Sequence, residues 1–82
     1  MFKSNLATGD LCRVKEDYEH PVWDHFPLKD EYELGTMITI HKGVVVEIIT
    51  SNFGFVEAWI PAIKRFIVGT YASHFEKIIN EV

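Results

Sequence analysis

Three residues of the segment HPVWDH, namely His20, Asp24 and His25, have side chains that can bind a metal ion. Imidazole and carboxylate groups are common ligands of zinc and related ions. The uneven spacing gives these three side chains no common face, however, and further ligands would have to come from His41 or His74, far away in the sequence. We therefore expect solvated histidines in an acidic loop, with no metal ion and no other cofactor.

Cys12 is the single cysteine of the chain, and together with a histidine it could form a nucleophilic pair. It falls on an inward-facing position of a predicted strand, where a small apolar residue is the usual occupant. The sequence has no phosphate-binding loop, no G-x-S-x-G or H-E-x-x-H motif and no dinucleotide-binding fingerprint. We therefore expect a structural cysteine and a protein that is not an enzyme.

The chain has 82 residues, 48% of them hydrophobic and 24% charged, which is typical of one small globular domain spanning residues 1–82. Its net charge of −4 disfavours general binding to nucleic acids, since attraction to phosphates provides most of their non-specific affinity. A lone cysteine excludes an intramolecular disulfide, and no signal sequence or membrane-spanning stretch is apparent. These features favour a cytoplasmic protein, either a monomer or a weak homo-oligomer.

The elements that would position any functional residue are mostly short β-strands. Alternating or β-branched patterns occupy residues 8–16, 55–61 and 64–71, and residues 35–50 contain two strands that meet at the Lys42-Gly43 turn. Closure removes the exposed edges of a short antiparallel sheet. The sequence therefore predicts a mainly β fold, a small five-stranded barrel.

Residues 17–33, DYEHPVWDHFPLKDEYE, show neither the period of a strand nor that of a helix. They contain two prolines, many acidic residues and four aromatic residues. Loops of this length in compact domains are usually functional or partly disordered. We therefore predict a long early loop, and we look for function there first.

The closing stretch GTYASHFEKI, residues 69–78, allows two structures. Ser73 and Glu76 have the spacing of a capping box, and apolar residues follow at helical spacing, at Phe75, Ile78, Ile79 and Val82. A barrel, however, needs a last strand to cover its edge. We favour a short helical turn at about residues 72–75 followed by a brief strand, and a helix over residues 73–81 is the alternative.

The order of these features resembles the Src-homology-3-like (SH3-like) barrel. TIHKGVVVEII (39–49) resembles the diverging turn and following strand of that family, FVEAWI (55–60) its central strand, and GTYASHFEKI its single helical turn and closing strand. Peptide-binding members dock proline-rich segments on a strip of aromatic side chains. Here Thr70 and Ala72 stand where that family has an aromatic residue and a proline, so ordinary proline-rich recognition is not expected.

A looser resemblance is to small barrel proteins that recur in bacteriophage genomes. It rests on GDLCRV (9–14), GVVVEI (43–48) and HFEKI (74–78). This resemblance implies a viral origin, and it implies no mechanism.

Aromatic residues of the early loop and of the central strand are the main candidates for a binding surface. Strand alternation points Trp59 away from the face formed by Val56, Ala58 and Ile60. Aromatic residues are enriched in the hot spots of protein interfaces, although the loop aromatics could instead cap the core. We expect a non-enzymatic protein-interaction module whose contact residues are Tyr18, Trp23, Phe26, Tyr32, Phe55 and Trp59.

Two alternatives involve nucleic acid or proteins that bind it. Lys64 and Arg65, helped by Lys42 and Lys77, could form a local basic patch on a nucleic-acid-associated barrel. The acidic loop could instead mimic nucleic acid and inhibit a host nucleic-acid enzyme. Scattered solubilising charges are the simpler interpretation of the basic residues.

Overall fold

The protein is described by a computed structural model over residues 6–28, 30 and 35–78, and these residues form a mainly β fold. The prediction of a mainly β protein is thereby confirmed. The elements in chain order are strands β1 (Leu11–Val14), β2 (Tyr18–Val22), β3 (Thr36–Ile40), β4 (Val45–Asn52), β5 (Phe55–Ile60) and β6 (Arg65–Tyr71), a 3-10 turn (Ala72–His74), and β7 (Phe75–Lys77).

Five strands form one antiparallel sheet in the order β6-β5-β4-β1-β7. The central strand β4 pairs with β5 on one side and β1 on the other, and β1 also pairs with β7. Strands β6 and β7 are thus the two edges of this sheet. Across the described ranges, the hydrogen bonds do not close the strands into the five-stranded barrel that the sequence predicts.

Strands β2 and β3 form a separate antiparallel pair, with His20 opposite Ile38 at its centre. Residues 18–22 had been expected to lie in a loop, and for them that prediction is wrong. Backbone hydrogen bonds between Trp23 and Phe66, with N···O distances of 3.0 and 2.8 Å, attach the end of this hairpin to β6.

One hydrophobic core underlies both sheets. Alternate residues of the long strands are buried, as the period-2 pattern of the sequence predicts, and side chains from the hairpin join them. The fully or nearly fully buried members include Cys12, Val14, Val22, Ile40, Val46, Ile48, Val56, Ala58, Ile60, Ile67 and Phe75.

The end of the chain follows the favoured of the two predictions. Residues Ala72–His74 form one turn of 3-10 helix, and β7 follows at once with Phe75 buried in the core. The predicted alternative, a helix over residues 73–81, is excluded as far as residue 78; residues 79–82 lie outside the described residues.

A β-bulge in β6 decides which residues of that strand face outward. Between the pairs Val56↔Thr70 and Ala58↔Ile67 the register shifts, so that three steps along β6 match two along β5. Gly69 in this bulge has a φ of 74°, a conformation that glycine adopts most readily. As a result Thr70 points into the core and is 1% exposed, and Tyr71 points outward.

Candidate functional site

Tyr18, at the start of β2, joins three elements of the fold. Its hydroxyl lies 3.1 Å from the Thr70 hydroxyl on β6. Its ring stacks on the His74 imidazole, with centroids 3.9 Å and planes 5° apart, and meets the edge of the Phe75 ring at 6.4 Å. Burial raises the pKa of Tyr18, and the hydrogen bond with Thr70 offsets part of that rise. These contacts hold the Tyr18 ring in one orientation.

His74 follows Tyr18 on the surface and is half-buried. Burial lowers the pKa of His74 below its ordinary value, and the charge of His20 lowers it further. The His20 ring in turn meets the Tyr18 ring edge-on, with centroids 6.0 Å apart. These effects favour the neutral form of His74, and its stacked ring adds flat surface to that of Tyr18.

Two more rings extend this surface towards β5. The Tyr71 ring lies 6.3 Å from that of His74 and 4.9 Å from that of Phe55, its partner in the β5–β6 pairing. Tyr71 is 58% exposed and Phe55 47%. We call the row of Phe55, Tyr71, His74, Tyr18 and His20 the aromatic strip.

The turn between β4 and β5, which leads into Phe55 of the strip, carries a further aromatic side chain. Asn52 pairs with Phe55, which leaves Phe53 and Gly54 as a two-residue turn with φ values of 50° and 87°. Positive φ at both positions is typical of a type I′ turn, in which Asn-Gly is the preferred sequence. A bulky residue in this conformation is unusual, and the Phe53 side chain is 79% exposed. Residues held in such conformations concentrate at functional sites.

A cleft of about 590 Å³ adjoins the strip at Phe55. It lies between the end of β2 and strands β4, β5 and β6, and Trp23 is the largest side chain in its wall. Trp23 is buried and packs closely over Gly35. The other lining residues are Pro21, Thr50, Asn52, Glu57, Val68 and Gly69, and the Thr50 hydroxyl donates a hydrogen bond to the Glu57 carboxylate.

A second group of aromatic side chains lies at the other end of β5. The Trp59 ring packs on Phe66 with centroids 4.6 Å apart, and Phe26 meets the edge of Phe66 at 5.7 Å. Trp59 points away from the core, as predicted, but its neighbours leave it only partly exposed. Phe26 is 41% exposed.

The six contact residues predicted from the sequence therefore fall in different places. Tyr18 and Phe55 belong to the strip, Trp23 lines the cleft, and Trp59 and Phe26 form the second group. Tyr32 lies outside the described residues.

Sequence reasoning missed Tyr71, His74 and Phe53. The bulge in β6 moves Tyr71 to the outer face, one residue later than the family alignment placed an aromatic. For Phe53 the available signal was Gly54, because glycine at this place in a short turn indicates that the residue before it lies exposed at the tip.

Arg65, one of the two central residues of the predicted basic patch, has polar and acidic neighbours. Nη1 of Arg65 donates to the carbonyl oxygens of Ile63 and Lys64, at 3.4 and 3.1 Å, and Arg65 also contributes to the lowered pKa of Asp24. Lys64 itself is exposed.

The two supporting lysines also have acidic neighbours. Nζ of Lys77 lies 3.4 Å from a carboxylate oxygen of Asp10. The backbone N–H of Lys42 donates to Asp17, and this bond is the main reason that the pKa of Asp17 is lowered. These neighbours weaken the attraction of the patch for phosphate.

Two of the histidines considered for metal binding each pair with a different carboxylate. His25 pairs with Asp24 at 2.8 Å and His41 with Asp17 at 3.5 Å. No group of three or more potential ligands occurs among the residues the structure describes. Cys12 is completely buried, and burial raises the pKa of its thiol, which suits packing better than nucleophilic attack.

No protein-family profile, no curated protein and no solved structure matches this chain. In addition, the described residues contain no helix that is long and apolar enough to cross a membrane.

Proposed function

We propose that this protein is a non-enzymatic protein-interaction module that binds a partner through the aromatic strip and the neighbouring turn residue Phe53. The observation that carries the proposal is the exposure of Phe55 and Tyr71, whose rings are in contact, together with that of Phe53 in the turn that precedes Phe55. A chain of 82 residues can bury only a limited area, so three large apolar side chains left outside the core represent lost stability. Aromatic residues of this kind dominate the hot spots of protein interfaces.

The shape of the surface favours an extended segment of the partner. Flat rings in a row offer apolar contact along a chain, and the tyrosine hydroxyl of Tyr71 can form a hydrogen bond at the rim. The cleft beside Phe55 has room for an apolar side chain of such a segment, since Trp23, Pro21 and Val68 line it. The partner is then a protein that contributes apolar side chains in an extended conformation.

We also propose that the fold is related to the SH3-like barrel. The hairpin after the first strand, the order β6-β5-β4-β1-β7 and the 3-10 turn before the last strand support an SH3-like architecture in an open form. In such an architecture the strip occupies the surface on which peptide-binding members of that family dock their ligands. Tyr18, Tyr71 and Phe55 would rebuild the strip, and of these Tyr71 stands where the sequence alignment placed no aromatic residue.

Affinity capture with the immobilised full chain tests the function. The variant Phe55→Ala/Tyr71→Ala removes the exposed rings of the strip, and Phe26→Ala is the matched control, since Phe26 is a comparably exposed aromatic in the second group. We expect a partner that the wild type and Phe26→Ala both retain and that the double variant loses. Direct titration of the identified partner should then show at least a tenfold loss of affinity, about 1.4 kcal/mol.

The proposal fails if every captured protein binds the double variant as well as the wild type. It also fails if capture depends on Phe26 and not on the strip. Circular dichroism and urea unfolding of all three proteins ensure that the comparison is made between folded chains.

A further inference from the structure

Strand β3 forms an open edge of the two-stranded sheet. It pairs with β2 on one side, and no strand of the described residues pairs with its other side. Such an edge presents backbone N–H and C=O groups that can pair with another chain.

The hydrogen bonds of β2 determine which groups of β3 are available. Trp23 exchanges backbone hydrogen bonds with Phe66 of β6, so its N–H and C=O point away from β3. Because backbone groups alternate along a strand, the carbonyl of Pro21 also points away from β3, where it lies 2.9 Å from Nδ1 of His20. Met37 lies opposite Pro21. Because the backbone groups of Pro21 point away from β3, the backbone groups of Met37 do not bond to β2.

The same alternation applies two residues further along β3. Thr39 lies opposite Glu19, which has the same orientation as Pro21, whereas Ile38 lies opposite His20 and bonds to β2. The N–H and C=O groups of Met37 and Thr39 therefore point to the open edge. Both side chains are exposed, with Met37 at 62%.

The two edges of the five-stranded sheet are protected, whereas the outer edge of β3 is not. Strand β7 has only three residues, and its exposed Glu76 and Lys77 are charged. Strand β6 is bonded to Trp23 at Phe66 and is interrupted by its bulge. Natural proteins commonly protect edges with short strands, charges, prolines and bulges. The five residues of β3, TMITI, contain no charge and no proline, and their register with β2 is regular.

We propose that β3 is a self-association edge that pairs antiparallel with β3 of a second copy of this chain. Of the possible registers, the one centred on Ile38 uses all the outward groups, because Met37 then lies opposite Thr39 of the partner copy and Thr39 opposite its Met37. Each of these two pairs exchanges two N–H···O bonds, which gives four in all. The two hairpins become one four-stranded sheet with twofold symmetry.

The chemistry of the edge favours a second copy as its occupant. The pairing places no charged residue of β3 opposite another, although the whole chain carries a net charge of −4. It also covers the exposed Met37 with the side chain of a β-branched threonine, a residue that packs well across strands. The association uses no residue of the aromatic strip, so it does not depend on the proposed function.

Sedimentation analysis of two charge variants tests both the association and its register. In Met37→Lys/Thr39→Lys, each pair between copies sets two positive charges opposite each other. In Met37→Lys/Thr39→Glu, each pair sets opposite charges together, and cross-strand pairs of this kind stabilise a sheet. We expect a concentration-dependent dimer for the wild type and a monomer for the first variant over the same concentrations. The second variant should form a dimer, with a dissociation constant at least tenfold lower than that of the first variant.

Amide hydrogen exchange gives a local check on the same proteins. Raising the concentration of the wild type should slow exchange at Met37 and Thr39 and leave Ile38 unchanged, because the Ile38 amide is already bonded to β2. The inference is overturned if the wild type stays monomeric up to millimolar concentration, if the two charge variants associate equally, or if protection does not centre on residues 37–39. Phe55→Ala/Tyr71→Ala should associate like the wild type, which separates this inference from the strip.

Discussion

At the scale of single residues, Phe53 combines two unfavourable features. Its φ of 50° belongs to the left-handed region, which costs an ordinary residue on the order of 1–2 kcal/mol. It is also the most exposed of the large hydrophobic side chains in the described part of the chain. Neither feature helps the fold. If Phe53 contacts a partner as proposed, stability and binding should respond to its substitution in opposite directions.

Phe53→Asn is expected to raise the free energy of unfolding by about 1 kcal/mol, because asparagine tolerates the turn conformation far better. Urea unfolding measures the change. Phe55→Asn is the control, since Phe55 lies in regular strand structure where asparagine brings no gain. A Phe53→Asn variant that is no more stable than the wild type would show that the turn carries no strain.

His74 gives the fold a pH dependence of its own. Its pKa is lowered from 6.5 in the folded protein, so the unfolded chain takes up the proton first as the pH falls. The stabilising contribution is complete above about pH 6.5 and is lost progressively as the pH falls from there through the folded pKa. The carboxyl groups of Asp17 and Asp24, whose pKa values are lowered from 3.8, lose their contribution only at more acid pH.

His74→Gln should therefore flatten the dependence of stability on pH between about pH 7.5 and 5, since glutamine keeps a planar group against Tyr18 but does not titrate. Urea midpoints at several pH values measure the slope. If the wild type and the variant lose stability in parallel over this range, His74 is not the group responsible.

At the scale of elements, the local pattern predicts most strands and misses the one that depends on distant pairing. Strands β1, β3, β4, β5 and β6 were recognised by their alternation or by their β-branched residues. Strand β2 contains Pro21 and several polar residues, and it forms a strand only because β3 pairs with it from 14 or more residues away. Pro21 fits because its nitrogen faces away from β3 and no ladder hydrogen bond is lost.

The candidate site was predicted less completely than the fold, for a related reason. Period-2 alternation identifies outward residues only while the register is regular. The bulge at Val68 and Gly69 shifts that register, so the exposure of Tyr71 could not be derived from counting along β6. The stacking of Tyr18 on His74 joins residues that are 56 positions apart, a contact that no local pattern encodes.

Gly35 and Trp23 couple the hairpin to the cleft. A Cβ atom at Gly35 would lie 2.8 Å from Cε2 and 2.9 Å from Cζ2 of Trp23. Gly35→Ala is therefore expected to lower the free energy of unfolding by about 1–3 kcal/mol through overpacking.

Trp23→Leu removes these ring atoms. In a protein that carries Trp23→Leu, Gly35→Ala should therefore lower the free energy of unfolding by much less than it does in the wild type. A double-mutant cycle by urea unfolding measures the coupling. Additive effects of the two substitutions would mean that the contact with Trp23 does not constrain the hairpin, and that the cost arises elsewhere, for example at Cβ of Pro21, which would lie 3.0 Å from the added atom.

At the scale of the whole molecule, two sheets share one core. Val22 of β2 and Ile40 of β3 are 3% and 2% exposed, and they belong to the same cluster as Ile48 and Ile67 of the large sheet. The radius of gyration of 12.2 Å is close to the value of about 12 Å expected for a compact domain of this length. A two-stranded hairpin is marginal by itself in water, so β2 and β3 depend on this shared core.

The shared core predicts that the hairpin and the large sheet unfold together. Trp23 lies at the end of the hairpin and Trp59 in β5, so Trp59→Phe leaves a fluorescent probe of the hairpin and Trp23→Phe leaves one of the sheet. Within each variant, the urea transition seen by fluorescence should coincide with that seen by far-ultraviolet circular dichroism, as in two-state unfolding. A Trp23 signal that changes at lower urea than the circular dichroism of the same variant would mean that the hairpin opens before the large sheet unfolds. The strip would then be lost with the hairpin, because Tyr18 of β2 stacks on His74.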